Sequence, residues 1–371
     1  MNLKNSDEKD LKYFLNKKKF NRIFIVTGKN SFYKSGISKI INFNDNEKLF
    51  KFYFKISYLP EIEELKKLVV LLDEYKPDLV LAIGGGGVMD LAKIANIVEI
   101  VNLKSLKKML LDYQTPGKKK KYPLIAIPTT AGSGAEVTSN AVIYINKIKH
   151  SVESQLLLPN YYFLLPKLII GNPKKLKSDA GFDVIAQSIE SLISVKSNKS
   201  SIYFAKQSLI LSSKNYLSFI DKPTKTNSEN MILAANLAGK AINISKTTAP
   251  HAVSYPFTSI YGINHGHAVS LTLEKFLYFN YENKKYSRSN FDLGKRYKII
   301  FDIFNAKNIN ELCEKIKFIK KNANLEDNFK LLGININKKV GTILNQINIL
   351  RLKNNPIDLS KNDLMNIILK K

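Results

Sequence analysis

The chain holds one cysteine, Cys313, and no tryptophan in 371 residues. A single thiol excludes an internal disulfide framework and fits a reducing compartment, so a cytoplasmic setting is the expectation. Long apolar runs are missing too. LVVLL (Leu68–Leu72) and LVLAI (Leu79–Ile83) are the kind of run present, far short of the roughly 20 residues that a membrane helix needs. The first twenty residues, MNLKNSDEKDLKYFLNKKKF, carry acids and no apolar signal core; they read as a polar lead-in without a targeting segment. Arginine is scarce, although 58 Lys and Arg against 31 Asp and Glu leave a formal net charge of +27. The lysines are scattered end to end, with short clusters only at Lys17–Lys19 and Lys118–Lys121. The richness in Ile, Asn and Lys together indicates a general compositional bias. Arginine is the better reader of bases and phosphates, so neither nucleic acid nor a membrane surface is the expected partner. No internal repeat is visible.

What is present suffices for two domains and a large core: 44% hydrophobic and 24% charged residues, ordinary for a globular chain. RIFIVTG (Arg22–Gly28) reads as a buried strand leaving into a loop. Leu65–Tyr75 has helical spacing closed by Pro77. DLVLAIGGGGVMDLAKIAN (Asp78–Asn96) is strand, glycine loop, helix. Four glycines, Gly84–Gly87, let the backbone pass close to a ligand, and a helix starting near Val88 aims its free N–H groups and dipole at the loop, as a pyrophosphate requires. Asp90, in the first turn on this reading, caps the helix or meets a ribose hydroxyl. The pattern is neither GxGxxG nor a P-loop. YPLIAIPTTAGSGAEVTSNAVI (Tyr122–Ile143) repeats the strand-to-loop pattern with Thr129, Thr130, Gly132, Ser133 and Gly134. Two such loops predict a nucleotide crevice at the strand ends. After Pro173, helical patterns take over: Asp179–Ser194, Ser201–Phe219, Met231–Ile244 and Gly266 to about Tyr281. The domain boundary is placed at residue 175, within a window of 165–178. The last 80 residues are Lys- and Asn-rich and helix-like, without catalytic polar clusters.

Three of the four histidines fall in HAVSYPFTSIYGINHGH (His251–His267). Histidine is the commonest metal ligand and a proton carrier near neutral pH. Pro256 and Gly262 read as a bend that puts His251 and His265 on successive elements facing one point. Further ligands are sought in DAGFDVIAQSIESLIS (Asp179–Ser194), where Asp183 and Gln187 share a helix face and Glu190 follows on the same broad side. Polar groups on so apolar a helix need partners if buried. Asp183, His251 and His265, with Gln187 as a weak fourth ligand, are the candidate metal set; surface histidines and a capping Asp183 are the plainer alternative.

Taken together, GGGGVMDLAK, IPTTAGSGAEVT, the Asp-x3-Gln helix and H-x13-H-G resemble the iron-containing (group III) alcohol dehydrogenases, over about residues 20 to 285. The resemblance implies an α/β plus all-α chain of dehydroquinate synthase-like type. A parallel-sheet dinucleotide-binding domain (1–175) precedes a helical metal and substrate domain (176–371), with a metal in the cleft between them. It further implies NAD(P)-dependent alcohol dehydrogenase activity and a homodimer. Metal ligands fall on Asp183, His251 and His265; Gln187 stands where most members have a third histidine, and an amide oxygen binds iron or zinc more weakly than imidazole. Nucleotide contacts fall on Gly85, Gly86, Gly87, Asp90, Thr129, Thr130 and Ser133, with Lys149 also a candidate. Tyr255 stands where many members carry a non-ligand histidine; it and His267 are the candidate proton carriers. Gly28 replaces an acid common in NAD-preferring members, which with Lys29 and Ser31 favours NADPH over NADH. Within the family, Asn243–Val269 is closest to the branch that reduces phosphonoacetaldehyde to 2-hydroxyethylphosphonate. Ser245, Lys246, Thr247 and Thr248 would hold the anionic group. The expected cofactors are therefore NADPH or NADH and Fe²⁺ or Zn²⁺, with a small anionic aldehyde as substrate. Other small aldehydes or polyols, the dehydroquinate synthase and glycerol-phosphate dehydrogenase relatives, and a polyanion-binding protein are the competing readings.

Overall fold

The computed structural model describes residues 8–18, 20–43, 45, 47–99, 102–111, 117–347 and 349–370. Residues 1–7 of the expected lead-in and Lys19 of the first lysine cluster lie outside them. The chain divides into two compact units, Met1–Asn172 and Pro173–Lys371.

In the first unit the elements run α1 (Glu8–Lys17), β1 (Arg22–Gly28), α2 (Lys29–Tyr33), β2 (Leu49–Lys55), α3 (Ile62–Tyr75), β3 (Leu79–Gly84) and α4 (Gly86–Ala95). They continue with α5 (Leu103–Leu111), β4 (Leu124–Pro128), β5 (Asn140–Ile145), β6 (Ile148–Glu153), β7 (Tyr161–Tyr162) and α6 (Lys167–Ile170). Five strands form a parallel sheet in the order β2-β1-β3-β4-β7. Its inner strands are largely apolar because both faces are covered. Side chains alternate across the sheet, so Ile23, Ile25, Leu79, Leu81, Ile83, Ile125 and Ile127 enter one core. Phe24, Val26, Val80, Ala82, Leu124 and Ala126 enter the other, with Leu65, Leu68 and Leu72 of α3. The expected lead-in is in part a helix: α1 buries Leu11 and Leu15 in the first of these cores. Two leucines one turn apart suffice to dock it, and its lysines stay in water.

The chain leaves β1 toward β2 and returns past β1 to β3. This strand order reverses direction between β1 and β3, and ligands of open parallel sheets bind beyond the carboxyl ends at such a point. Gly28 ends β1 and the glycine loop ends β3. Strands β5 and β6 form an antiparallel hairpin whose turn residues Asn146 and Lys147 both have positive φ, 51° and 64°, as a tight right-twisted hairpin turn demands.

The second unit is built from α7 (Lys174–Ile193), α8 (Lys199–Asp221), α9 (Lys225–Ser245), α10 (Ala249–Tyr261), α11 (His265–Ser270) and α12 (Leu273–Glu282). It ends with α13 (Leu293–Phe304), α14 (Ile309–Asn322), α15 (Ile336–Asn345), α16 (Ile349–Leu352) and α17 (Lys361–Leu369). Reciprocal side-chain to backbone caps at Asn198 with Ser201, and at Thr224 with Asn227, fix the starts of α8 and α9. Helix α7 is buried along nearly its whole length. Two expectations shift. Pro256 lies inside α10 and does not end it; the helix ends at Gly262, at φ 69°. The single helix expected from Gly266 is two, α11 and α12, separated at Leu271 and Thr272. Among the described residues no helix is long and apolar enough to cross a membrane.

Candidate active site

In the second unit, α7 presents Asp183, Gln187 and Glu190 at spacings of four and three, which stack on one helical face. Helix α10 supplies His251 and, one turn on, Tyr255; α11 opens with His265. Asp183, His251 and His265 each offer a ligand atom, and these atoms lie within 4.8 Å of one another. The rings of His251 and His265 meet edge to face at 5.2 Å, and Tyr255 stacks on His265 at 5.7 Å and 16°. The packing that brings α11 here needs a glycine after His265. A Cβ on Gly266 would stand 1.8 Å from the backbone oxygen of Asp179 on α7, closer than any side chain survives.

His251 is held from both sides. Its Nδ1 donates to Glu190 Oε1 at 2.5 Å and its Nε2 to Asp183 Oδ1 at 3.0 Å. Burial alone pushes this imidazole down, but the carboxylates of Glu190 and Asp183 outweigh it and raise the ring to about 10. Glu190 has no exposed surface. Besides His251, its Oε2 accepts the Thr248 backbone N–H at 2.7 Å and the Thr248 hydroxyl at 2.8 Å, the donors a buried carboxylate requires. Glu190 is thus a member of the site to which the sequence reading assigns no role; its signal was the 183, 187, 190 spacing. Of the expected substrate contacts, Thr248 gives its amide and hydroxyl to Glu190. Ser245 is buried and bonds Ser191 at 2.8 Å. The Thr247 carbonyl accepts from Asn354, and Lys246 closes α9 with a φ of 61°.

Gln187 Nε2 donates to Asp183 Oδ2 at 2.9 Å, and Gln187 Oε1 is buried with no hydrogen-bond partner among the described residues. A carboxylate, two imidazoles and an orphaned amide oxygen joined through Asp183 make a donor set that fits a divalent cation. His267 belongs elsewhere. Lys175 Nζ donates to its Nδ1 at 3.0 Å and its Nε2 donates to the Glu326 carbonyl at 2.6 Å. Burial lowers its ring below the ordinary value and the Lys175 charge adds to this, outweighing the Glu326 hydrogen bond and the charges of Asp179 and Glu326, which raise it.

In the first unit the two glycine- and hydroxyl-rich loops form one surface. Thr129 N donates to the Gly84 carbonyl at 3.0 Å. A Cβ on Gly86 would lie 2.8 Å from Ser133 Oγ, and one on Gly85 would lie 3.3 Å from Thr130 Oγ1. No side chain caps α4, so its leading N–H groups and dipole end have no side-chain acceptor, an arrangement that suits an anion such as phosphate. Helix α4 starts at Gly86, earlier than the sequence suggests, because glycines enter it. Asp90 therefore sits in its second turn. Desolvation raises the Asp90 carboxyl to about 6, against the charges of Lys93 and Lys149 and a hydrogen bond from the Val142 backbone. Lys149 lies on β6 opposite Tyr144. Lys93, buried, donates to the Thr138 carbonyl and hydroxyl and to the Asn140 carbonyl at 2.9, 3.0 and 3.1 Å, pinning the segment that follows the second loop.

Comparison with known proteins gives two family matches. The iron-containing alcohol dehydrogenase family matches residues 4–166, and the C-terminal part of the Fe-containing alcohol dehydrogenase family matches residues 177–371. Aldehyde-alcohol dehydrogenase 2 of Entamoeba histolytica is 27% identical over 286 residues, 73% of this chain and 32% of that protein. Phosphonoacetaldehyde reductase of Streptomyces viridochromogenes is 29% identical over 216 residues, 56% of this chain and 54% of that protein. The chain thus spans between a third and about half the length of these two relatives. Sulfoacetaldehyde reductase of Bifidobacterium kashiwanohense, solved in complex with NAD⁺, superposes with a TM-score of 0.82 at 25% identity, covering 97% of this chain and 93% of that one. With both halves matched in order, and with a carboxylate and two histidines gathered on α7, α10 and α11, the chain belongs to the iron-containing alcohol dehydrogenase family.

Proposed function

We propose that the protein reduces a short-chain aldehyde to its alcohol with a reduced nicotinamide cofactor, and that the aldehyde is anionic, phosphonoacetaldehyde being the first choice. The observation that carries the reading is the Asp183–His251–His265 group in a chain of this family. Two similar proteins bear names for reductases of two-carbon aldehydes with an anionic end group, a phosphonate and a sulfonate. Asp183, Gln187, His251 and His265 would hold Fe²⁺ or Zn²⁺. Such a cation supplies Lewis acidity that polarises a carbonyl oxygen; the nicotinamide supplies the hydride.

The chain's own residues do the rest. Glu190 fixes the ring of His251, so that Nδ1 carries a proton and Nε2 is aimed at the ligand group. Tyr255, against His265, is placed to pass a proton to the product oxygen, and is preferred to His267, whose two nitrogens are engaged by Lys175 and Glu326. Gly85, Gly86 and Gly87 cradle the pyrophosphate while Thr129, Thr130 and Ser133 supply hydroxyls; Asp90 and Lys149 flank them. Lys246 and Thr247 are the remaining candidates for the substrate anion.

NADPH is the favoured cofactor. Gly28 has an extended backbone at φ −99°, and a Cβ there would meet nothing closer than 3.5 Å. Neither strain nor packing demands glycine, and an acid at that place would repel a 2′-phosphate. Oxidation of NADPH and NADH, followed near ~340 nm in the reduced nicotinamide band, tests the reading. Phosphonoacetaldehyde is run beside neutral aldehydes, with and without chelator. Selective, chelator-sensitive turnover of the phosphonate is expected; preference for neutral aldehydes would reject the anionic substrate, and silence with every aldehyde would reject the reaction. Gly28→Asp is expected to raise KM for NADPH while leaving that for NADH unchanged or lower.

A further inference from the structure

The amide of Gln187 has a defined orientation. Asp183 Oδ2 as a carboxylate oxygen only accepts, so the group 2.9 Å from it is the amide nitrogen, and Oε1 is the opposite end. That oxygen is buried and has no hydrogen-bond partner among the described residues, in a side chain only 3% exposed. An unpaired buried carbonyl of this kind carries an uncompensated desolvation cost and persists where something else satisfies it. Asp183 uses Oδ1 toward His251 and Oδ2 toward Gln187, so one carboxylate ties the amide to the ligand group.

We infer that Gln187 Oε1 is the fourth protein ligand of the metal, and that this amide, oriented by Asp183, shifts the site's preference from Zn²⁺ toward harder cations such as Mn²⁺. The inference rests on the metal reading proposed above. The donor set becomes two oxygens and two imidazole nitrogens. Imidazole suits zinc and iron, whereas carboxylate and carbonyl oxygens suit manganese and magnesium. A neutral amide also contributes less than imidazole to any first-row divalent ion, so absolute affinity falls while the zinc-over-manganese ratio narrows. The selectivity originates in one side chain on α7 and needs no change in the positions of Asp183, His251 or His265.

The test is competition against a chromophoric chelator for Zn²⁺ and for Mn²⁺, on the full chain stripped of metal. Wild type, Gln187→His and Gln187→Leu are compared, and Co²⁺ is added in parallel to record the visible ligand-field spectrum. Gln187→His is expected to tighten Zn²⁺ by at least the roughly tenfold that a partner of a metal ligand already commands, and Mn²⁺ by less. Gln187→Leu is expected to weaken both ions and to alter the Co²⁺ spectrum. A Gln187→Leu chain that titrates both ions and colours Co²⁺ as wild type does would overturn the inference while leaving the metal site standing. If Gln187→Leu fails to fold, Gln187→His decides, and an unchanged zinc-to-manganese ratio overturns it. Absence of binding of either ion by wild type and by Gln187→His together would instead remove the metal reading on which it stands.

Discussion

Glu190 has no access to water, yet it is the hub of a short polar chain from Thr248 through Glu190 and His251 to Asp183. Outer partners of this kind typically command ten- to a hundredfold in metal affinity, roughly. Glu190→Gln preserves the shape and leaves an oxygen for Nδ1–H but removes the charge. It is expected to lower the affinity for Zn²⁺ by about tenfold or more, read by chelator competition, with the far-ultraviolet dichroism of the metal-free chain unchanged. Cys313 shows burial acting on a thiol whose hydrogen bond goes to a backbone carbonyl, that of Glu274, at 3.5 Å. Loss of hydration, with the negative charge of Glu274 nearby, pushes its thiol from an ordinary 9.0 to about 12. The thiolate is the reactive form, so at pH 8 native Cys313 should react with iodoacetamide about a thousandfold more slowly than an ordinary thiol. Because the folded-state value lies above the working range, the native rate should rise about tenfold per pH unit between pH 7 and 9, without a plateau. A rate that begins to bend by pH 9 and levels off above it, measured by mass spectrometry of the labelled chain, would show an unperturbed thiol.

At the scale of elements the site depends on how closely α11 approaches α7. Gly266→Ala places a methyl against the Asp179 carbonyl, and its Cβ would also come within 3.1 Å of Asp183 Cβ. Overpacking of this sort costs about 1–3 kcal/mol. The expected outcome is a lower melting temperature together with weakened Zn²⁺ binding, since the displaced helix carries His265; retention of both would mean that α11 yields without moving the histidine. The sequence disclosed the elements in proportion to how fully they are covered. RIFIVTG, LVLAIG and LIAIP are legible as strands because both faces are buried and nothing interrupts the apolar run. LFKFYFK of β2 is not, because it sits at the sheet edge and alternates aromatic with lysine. Helix α1 hides behind its lysines, since two buried leucines leave little pattern. The two glycine-rich loops and the gathering of Asp183, His251 and His265 were legible because runs of glycine and the four histidines stand out here. Glu190 was visible as a spacing but not as a role, since the role is set by Thr248 and His251, far along the chain.

At the scale of the molecule, the net charge of +27 is large, while ion pairs exposed at both ends, such as Lys174–Asp221 and Lys298–Asp302, are each of little energetic weight. The excess charge acts through its field, raising encounter rates for anions. Raising ionic strength from about 0.05 M to about 0.5 M should therefore lower kcat/KM for an anionic aldehyde several-fold and leave that for a neutral aldehyde nearly unchanged. Equal loss for both, in parallel steady-state assays, would place the effect on the cofactor or on the fold. Each unit has an independent core of its own, and the glycine loops lie in the first unit while the helices that carry the histidines lie in the second. Gly28 gives that independence an evolutionary meaning. Its backbone tolerates any residue and its surroundings leave room for a side chain, and a single nucleotide change converts a glycine codon to one for aspartate. On the cofactor reading proposed above, a lineage carrying this fold would exchange the biosynthetic reductant pool for the catabolic one in one mutational step, with no intermediate that folds poorly for selection to remove.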